Sequence, residues 1–292
     1  MQIHLKDIST AEAQNYLQHA IAPRPIAFAS TLAADGSVNL SPFSFFNLFS
    51  THPPVVIFSP ARRVRNNTTK HTLQNAEETK EVVINIVDYD MVQQVSLASC
   101  EYEKGVNEFL KSGFTPVPAT LVKPPMVKES KVNLECKVLE IKPLGQEGGA
   151  GNLIICEVLV MHIDDSILDE NKKIDQRKLH HVARLGGDWY CKVDSGNLFK
   201  VPKPNIKLGI GVDALPMNIR NSNILSGNNL GQLANVTQLP SIDPAFDDER
   251  LKNIVQYFFL NPADMETEMH QYAKELLVEN KVDQAWQVLL SA

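Results

Sequence analysis

Between Pro25 and Ser59 the chain sets four short apolar runs among tight-turn signals, and this spacing constrains the fold more than any other feature. The run 26–33 ends at Asp35-Gly36, a dipeptide that takes positive φ readily and so marks a hairpin. Residues 37–40 return, and 43–49 and 55–59 follow. No segment in this stretch is long enough for the crossover helix that a parallel βαβ unit requires. The pattern predicts an antiparallel, Greek-key-like barrel, mainly β with peripheral helices.

Helices are expected at 10–20, 69–80, 88–99 and 105–111, and a β-branched strand at 82–87. Two long alternating strands, 132–146 and 153–163, flank Gly148-Gly149-Ala150-Gly151. This glycine tip does not open a helix after a strand, so it reads as a hairpin turn and not a nucleotide loop. Gly209-Ile210-Gly211 fails the same test. At 292 residues the chain exceeds the usual single-domain size of about 100–150 residues, so an appendage or second domain is expected.

The character changes near Pro202, giving expected parts 1–201 and 202–292. Residues 202–240 are rich in asparagine and glycine, and segments such as 209–216 and 226–231 look too poor in apolar residues to build a core alone. Three helices follow, carrying the stripes Leu251, Ile254, Val255, Phe258, Phe259, then Met265, Met269, Tyr272, Leu276, then Val282, Trp286, Leu289, Leu290. The expectation is a C-terminal helical extension packed on the barrel or on a partner subunit, burying Phe258, Phe259 and Trp286.

The formal charge of -6 gives nucleic-acid binding no global support. No apolar run is long enough to span a bilayer, and the N-terminus lacks a signal-like pattern, so a cytoplasmic protein is expected. The cysteines Cys100, Cys136, Cys156 and Cys191 stand far apart and read as reduced thiols. His180-His181, taken as adjacent helical residues, cannot share one face, so no metal site is expected.

Two features point to chemistry. Arg62, Arg63, Arg65, Lys70 and His71 lie in an acid-free stretch among Thr68, Thr69 and Thr72, just before a helix. Unpaired cations at a helix N-terminus, with hydroxyls and free N–H groups, suit a phosphate; the plainer alternative is a solvated surface loop. Upstream, Ser41, Ser44 and Asn47 alternate with Phe43, Phe45, Phe46 and Phe49, apolar walls with polar points that suit a flat aromatic ring or simply a barrel core.

The stretches Pro23-Arg24-Pro25-Ile26-Ala27-Phe28-Ala29-Ser30-Thr31 and Asn39-Leu40-Ser41-Pro42-Phe43-Ser44-Phe45-Phe46 resemble the flavin-reductase-like family. Pro53-Pro54, Phe58-Ser59, Lys70-His71-Thr72-Leu73-Gln74-Asn75, Asn85, Gly105-Val106-Asn107-Glu108-Phe109, Leu134-Glu135-Cys136 and Arg184-Leu185-Gly186-Gly187 continue its order. The resemblance covers roughly residues 20–200 and implies an FMN-binding split β-barrel, homodimeric, with flavin near the subunit interface. It implies that Ser30 and Thr31 line the flavin or its ribityl tail, that Ser41, Pro42, Phe43 and Ser44 meet the isoalloxazine, and that Ser59, Arg62, Lys70 and Thr72 hold the phosphate, with Asn47 a further candidate to bind the cofactor. The family often has an acid where this chain has His71. The implied activity is an NAD(P)H:flavin oxidoreductase, hydride passing from nicotinamide to flavin with no conventional acid–base residue, and a partner monooxygenase as one user of the product. An FMN-binding electron carrier without nicotinamide activity is the alternative.

Overall fold

A computed structural model describes residues 1–203 and 207–291; residues 204–206, inside the expected irregular segment, lie outside it. Two compact units result, Met1–Phe199 and Lys200–Ala292.

In the first unit α1 (Thr10–Ala20) opens with a capping box: the Ser9 hydroxyl accepts from Glu12 N–H while the Glu12 carboxylate accepts from Ser9 N–H. Strands β1 (Ala27–Leu32), β2 (Val38–Phe43), β3 (Phe46–Thr51) and β4 (Pro54–Phe58) follow, then α2 (His71–Thr79) and β5 (Glu81–Ile86). After α3 (Val92–Leu97) and α4 (Glu108–Ser112) come the two-residue strands β6 (Pro116–Val117) and β7 (Met126–Val127), and then the long hairpin of β8 (Val132–Pro143) and β9 (Asn152–Ile163). A small pair, β10 (Val182–Arg184) and β11 (Tyr190–Lys192), ends the unit.

Seven strands form one antiparallel sheet in the order β2-β1-β5-β8-β9-β4-β3. Its two edges, β2 and β3, are consecutive in the chain, separated only by Ser44 and Phe45. Three Cα steps of about 3.8 Å cannot cross a flat seven-stranded sheet, so the sheet must curl until its edges meet. Edge position also explains how Pro42 sits inside a strand, since an edge strand has ladder positions that need no N–H donor.

The expected strand 43–49 is therefore corrected. β2 extends through Phe43, a break falls at Ser44-Phe45, and β3 starts at Phe46. The corner is fixed by Ser59 N–H donating to Phe45 O at 2.8 Å.

One face of β1 supplies Ala27 and Ala29 to the barrel interior, with Phe43, Phe58, Val82, Ile84, Leu134, Cys136, Ile154 and Cys156. Its other face turns Phe28 toward a second core under α3 and α4, built from Leu40, Met91, Val95, Phe109 and Phe114. Phe28 and Phe114 meet edge to face at 5.2 Å. Burial in the barrel pushes the Cys156 thiol up to about 12 and raises Cys136 in the same direction, so both stay protonated. His180 and His181 are not helical: His180 takes φ 47° in a loop and His181 bridges Asp88.

The second unit holds α5 (Met217–Arg220), α6 (Gly227–Leu233), α7 (Glu249–Tyr257), α8 (Pro262–Val278) and α9 (Val282–Leu290). The early segments do not form a core alone but contribute to one shared with the later helices. Leu215, Ile219, Leu225 and Leu233 join Ile254, Met269, Leu277 and Trp286 in one buried cluster within the unit. Trp286 is fully buried and donates its indole N–H to Leu233 O at 3.2 Å. Trp286→Ala is expected to destabilise the unit by about 3–5 kcal/mol, measured as lost hydrogen-exchange protection along α8. Phe259, expected to be buried, is 73% exposed, because α7 ends at Tyr257 and the last position of the stripe falls beyond the helix. Among the described residues no helix is long and apolar enough to cross a membrane.

Candidate functional site

The start of α2 is built to leave its positive end open. Lys70 precedes it in an extended conformation, with no side-chain cap bond and no acid in the first turn. The first N–H groups of a helix have no partner within it, so those of His71 and Thr72 remain available to an acceptor.

Facing this end is a loop of cations held by the β8–β9 tip. Gly149 N–H donates to Arg62 O at 2.9 Å, and Arg62 N–H donates to Ala150 O at 2.8 Å. A Cβ on Gly148 would stand 2.9 Å from Val64 O, so glycine permits the approach. Within the loop Asn67 takes φ 55°, a left-handed conformation that asparagine tolerates. Its Oδ1 and main-chain oxygen both accept from the Arg62 guanidinium, at 2.6 and 2.8 Å. Arg63 donates to Thr68 Oγ1 and Thr69 O, each at 2.8 Å.

The stretch is free of acid in sequence but not in space. Glu101 accepts from Arg63 at 2.9 Å and also pairs with Arg65. Arg62 and Lys70 have no carboxylate partner among the described residues. Arg62, Arg63, Asn67, Thr68, Thr69 and His71 line an open cleft of about 450 Å³.

Electrostatics follow from this crowding. Burial, then the Arg63 charge, lowers the Lys70 pKa, with Glu101 and Glu108 partly restoring it. Burial, then Arg63, Lys104 and Lys70, lowers that of His71. Burial raises Glu108, against the pull of Leu40 N–H, which donates to its Oε2 at 3.0 Å. A field of like charges with few counter-ions is relieved by an anion.

Each residue expected at the site can now be placed. Ser59 is buried beside the tip, its Oγ 2.7 Å from where a Cβ on Gly151 would stand. Thr72 lies one residue into α2, fully buried, its hydroxyl accepting from Asn39 Nδ2 at 2.8 Å. Ser30 and Thr31 are neighbours on β1 and point to opposite faces. Thr31 accepts from Asn75 Nδ2 of α2 at 3.1 Å, whereas the buried Ser30 hydroxyl has no hydrogen-bond partner among the described residues. Ser41, Pro42 and Ser44 are half-buried at the β2 edge, and Phe43 is in the barrel core against Phe58 at 5.4 Å. Asn47 is exposed, with its Oδ1 accepting from Leu48 N–H.

Ser59 and Arg62 thus gather around the glycine tip, the start of α2 shares a cleft with Arg62 through His71, and the β2–β3 corner joins them through the Ser59–Phe45 bond. Asn39 and Asn75 were given no role from sequence, yet they tie Thr72 and Thr31 across the α2–barrel contact. The available signal was asparagine in a core-facing run, because a buried amide needs partners.

The curled seven-stranded antiparallel sheet places the first unit among the split barrels. Residues 19–182 match the model of the flavin reductase like domain, and the chain belongs to that family. A protein from Aquifex aeolicus (strain VF5) is 39% identical over 172 residues, 59% of this chain and 85% of its own. Among solved structures, nitrilotriacetate monooxygenase component B from Bacillus cereus has a TM-score of 0.64 at 27% identity, covering 69% of this chain and 98% of that one. A candidate flavin reductase with a split-barrel domain, from Shewanella frigidimarina NCIMB 400, has a TM-score of 0.58 at 25% identity, covering 70% and 99%. Family and fold support a flavin cofactor and flavin-linked oxidoreduction.

Proposed function

We propose that the chain binds FMN and works as an NAD(P)H:flavin oxidoreductase, as a homodimer. The observation that carries this reading is the uncapped, acid-free start of α2, preceded by a partly desolvated Lys70, where His71 shares a cleft with Arg62. Those groups, with Ser59 and the Thr72 N–H, would hold the phosphate. The half-buried Ser41, Pro42 and Ser44 at the β2 edge would meet the ring, and the Ser30 hydroxyl, unpaired among the described residues, is a polar group for the tail. Bound flavin supplies the redox chemistry, accepting two electrons and a proton from a reduced nicotinamide. The chain's part is to bind, orient and exclude water. Phe45, Leu48, Phe49 and Met161 are exposed large apolar residues on the sheet, which supports a second copy covering them. A relative named as a monooxygenase component supports delivery of reduced flavin to a partner monooxygenase.

The purified protein is expected to show a flavin absorbance spectrum that bleaches under anaerobic NADH or NADPH. A flavin spectrum that does not respond would leave an FMN carrier in place of a reductase. A protein that stays colourless with added FMN would overturn the cofactor assignment.

A further inference from the structure

His71 is the first residue of α2, half-buried, on the wall of the cleft it shares with Arg62, Arg63, Thr68 and Thr69. On its other side it adjoins Asn39, Asn75 and the loop Lys104-Gly105-Val106. The charges that face it are Arg62 and Arg63 from the cation loop, Lys70 from the preceding residue and Lys104 from the loop before α4. The nearby acids are engaged elsewhere: Glu101 with Arg63 and Arg65, and Glu108 with Leu40 N–H. Among the described residues none is hydrogen-bonded to the His71 ring, so both ring nitrogens remain for a ligand.

We propose that His71 is a phosphate ligand that takes up a proton when a flavin phosphate monoester binds, so that FMN is preferred over riboflavin and held more tightly as pH falls. This rests on the phosphate site proposed above.

Without an anion, burial and the surrounding cations keep the imidazole neutral. A phosphate dianion in the cleft reverses the sign of the local field and favours the protonated ring. The pKa therefore rises on binding. By linkage, affinity increases as pH falls from the bound value toward the free one, by about tenfold for each unit of rise. The phosphate itself loses its second charge near about pH 6, which works in the opposite direction, but it does so equally in every variant.

The test compares the wild type with His71→Asn and His71→Gln, two amides of different length that hold α2 open without titrating. Dissociation constants for FMN and riboflavin would be measured by flavin fluorescence at about pH 6.5 and about pH 8, the range in which an imidazole changes charge. Calorimetry in buffers of different ionisation enthalpy would count the protons taken up. The wild type is expected to gain roughly tenfold in FMN affinity at the lower pH relative to both variants, with net proton uptake, and riboflavin binding is expected to be unaffected by either change. Equal FMN slopes in all three proteins would overturn the inference and leave the phosphate site standing. The same His71 dependence with riboflavin would also overturn it, by placing the imidazole at the ring. Wild type that takes no FMN at any pH would overturn the phosphate site itself, and this inference with it.

Discussion

Replacing Arg62 and Lys70 together with alanine is expected to weaken FMN binding by on the order of 10²–10⁴-fold, while riboflavin binding changes little. Each is a cation without a carboxylate partner among the described residues, and a charge-assisted bond to phosphate contributes about 1.5–3 kcal/mol. Arg62 is pre-set by Asn67 and by the glycine tip, so little ordering is left for the ligand to impose. Lys70 gains further, because an incoming anion relieves a charge that burial and Arg63 already disfavour. The readout is flavin fluorescence titration with both ligands. FMN affinity unchanged in the double variant would move the phosphate away from α2.

A large effect on the stability of the first unit is expected at Glu135. This carboxylate is fully buried on β8 and accepts from the N–H groups of Thr120, Leu121 and Val122 at 2.7, 2.6 and 3.1 Å, with His162 Nε2 at 2.6 Å. Burial alone would raise its pKa. The bonds from Thr120, His162 and Leu121 outweigh that and hold it at about 2, below an ordinary value of 4.5. Glu135→Gln would turn an NH₂ group toward donors and strand buried N–H groups, a loss of about 3–5 kcal/mol at neutral pH.

The sign of the pH dependence follows from the depressed value. Stabilisation by Glu135 is complete above the unfolded pKa near 4.5 and is lost as pH falls from there toward 2. The wild type should therefore lose on the order of 3 kcal/mol across that interval through this one group. Urea denaturation of wild type and variant should show a wide gap at neutral pH that narrows in acid. A gap of constant width would mean that packing, and not charge, accounts for the loss.

Much of the barrel was legible in the sequence because its signals are local. Apolar runs, alternation in the long hairpin and the Asp35-Gly36 turn located its strands with ends within about three residues. The break at Ser44-Phe45 was not legible, since it exists only because two sheet edges must meet there. The core of the second unit was missed for a related reason. Leu215, Ile219, Leu225 and Leu233 are too scattered to form a stripe, and they become a core only when α7, α8 and α9 close over them.

The motifs that carried the family resemblance prove to be of two kinds. Asn85 donates to Phe28 O and accepts from Val127 N–H and Asn133 Nδ2, Glu108 holds Leu40 N–H, and Glu135 clamps residues 120–122. These polar side chains hold strands and loops in register. Others reach open clefts, as His71 and Gln74 do beside the cation loop and Asn39, Asn75, Gly105 and Val106 do on the other side of His71. Sequence could mark both kinds but not separate them, because a buried polar residue and a ligand-facing one leave the same trace in a single chain. Glu101 shows the limit most clearly: its pairing with Arg63 and Arg65 comes from the loop that follows α3, and no local pattern announces it.

A hairpin tip is ordinarily where a chain best tolerates inserted residues. Here the tip of β8 and β9 grips the backbone of Arg62, with Gly148 against Val64 leaving no room for a Cβ. The length of that turn is therefore set by a segment much earlier in the chain, and a residue added there would displace a guanidinium before it disturbed either strand. Changes at the tip should register as altered affinity for an anion in a protein whose melting behaviour is nearly unchanged.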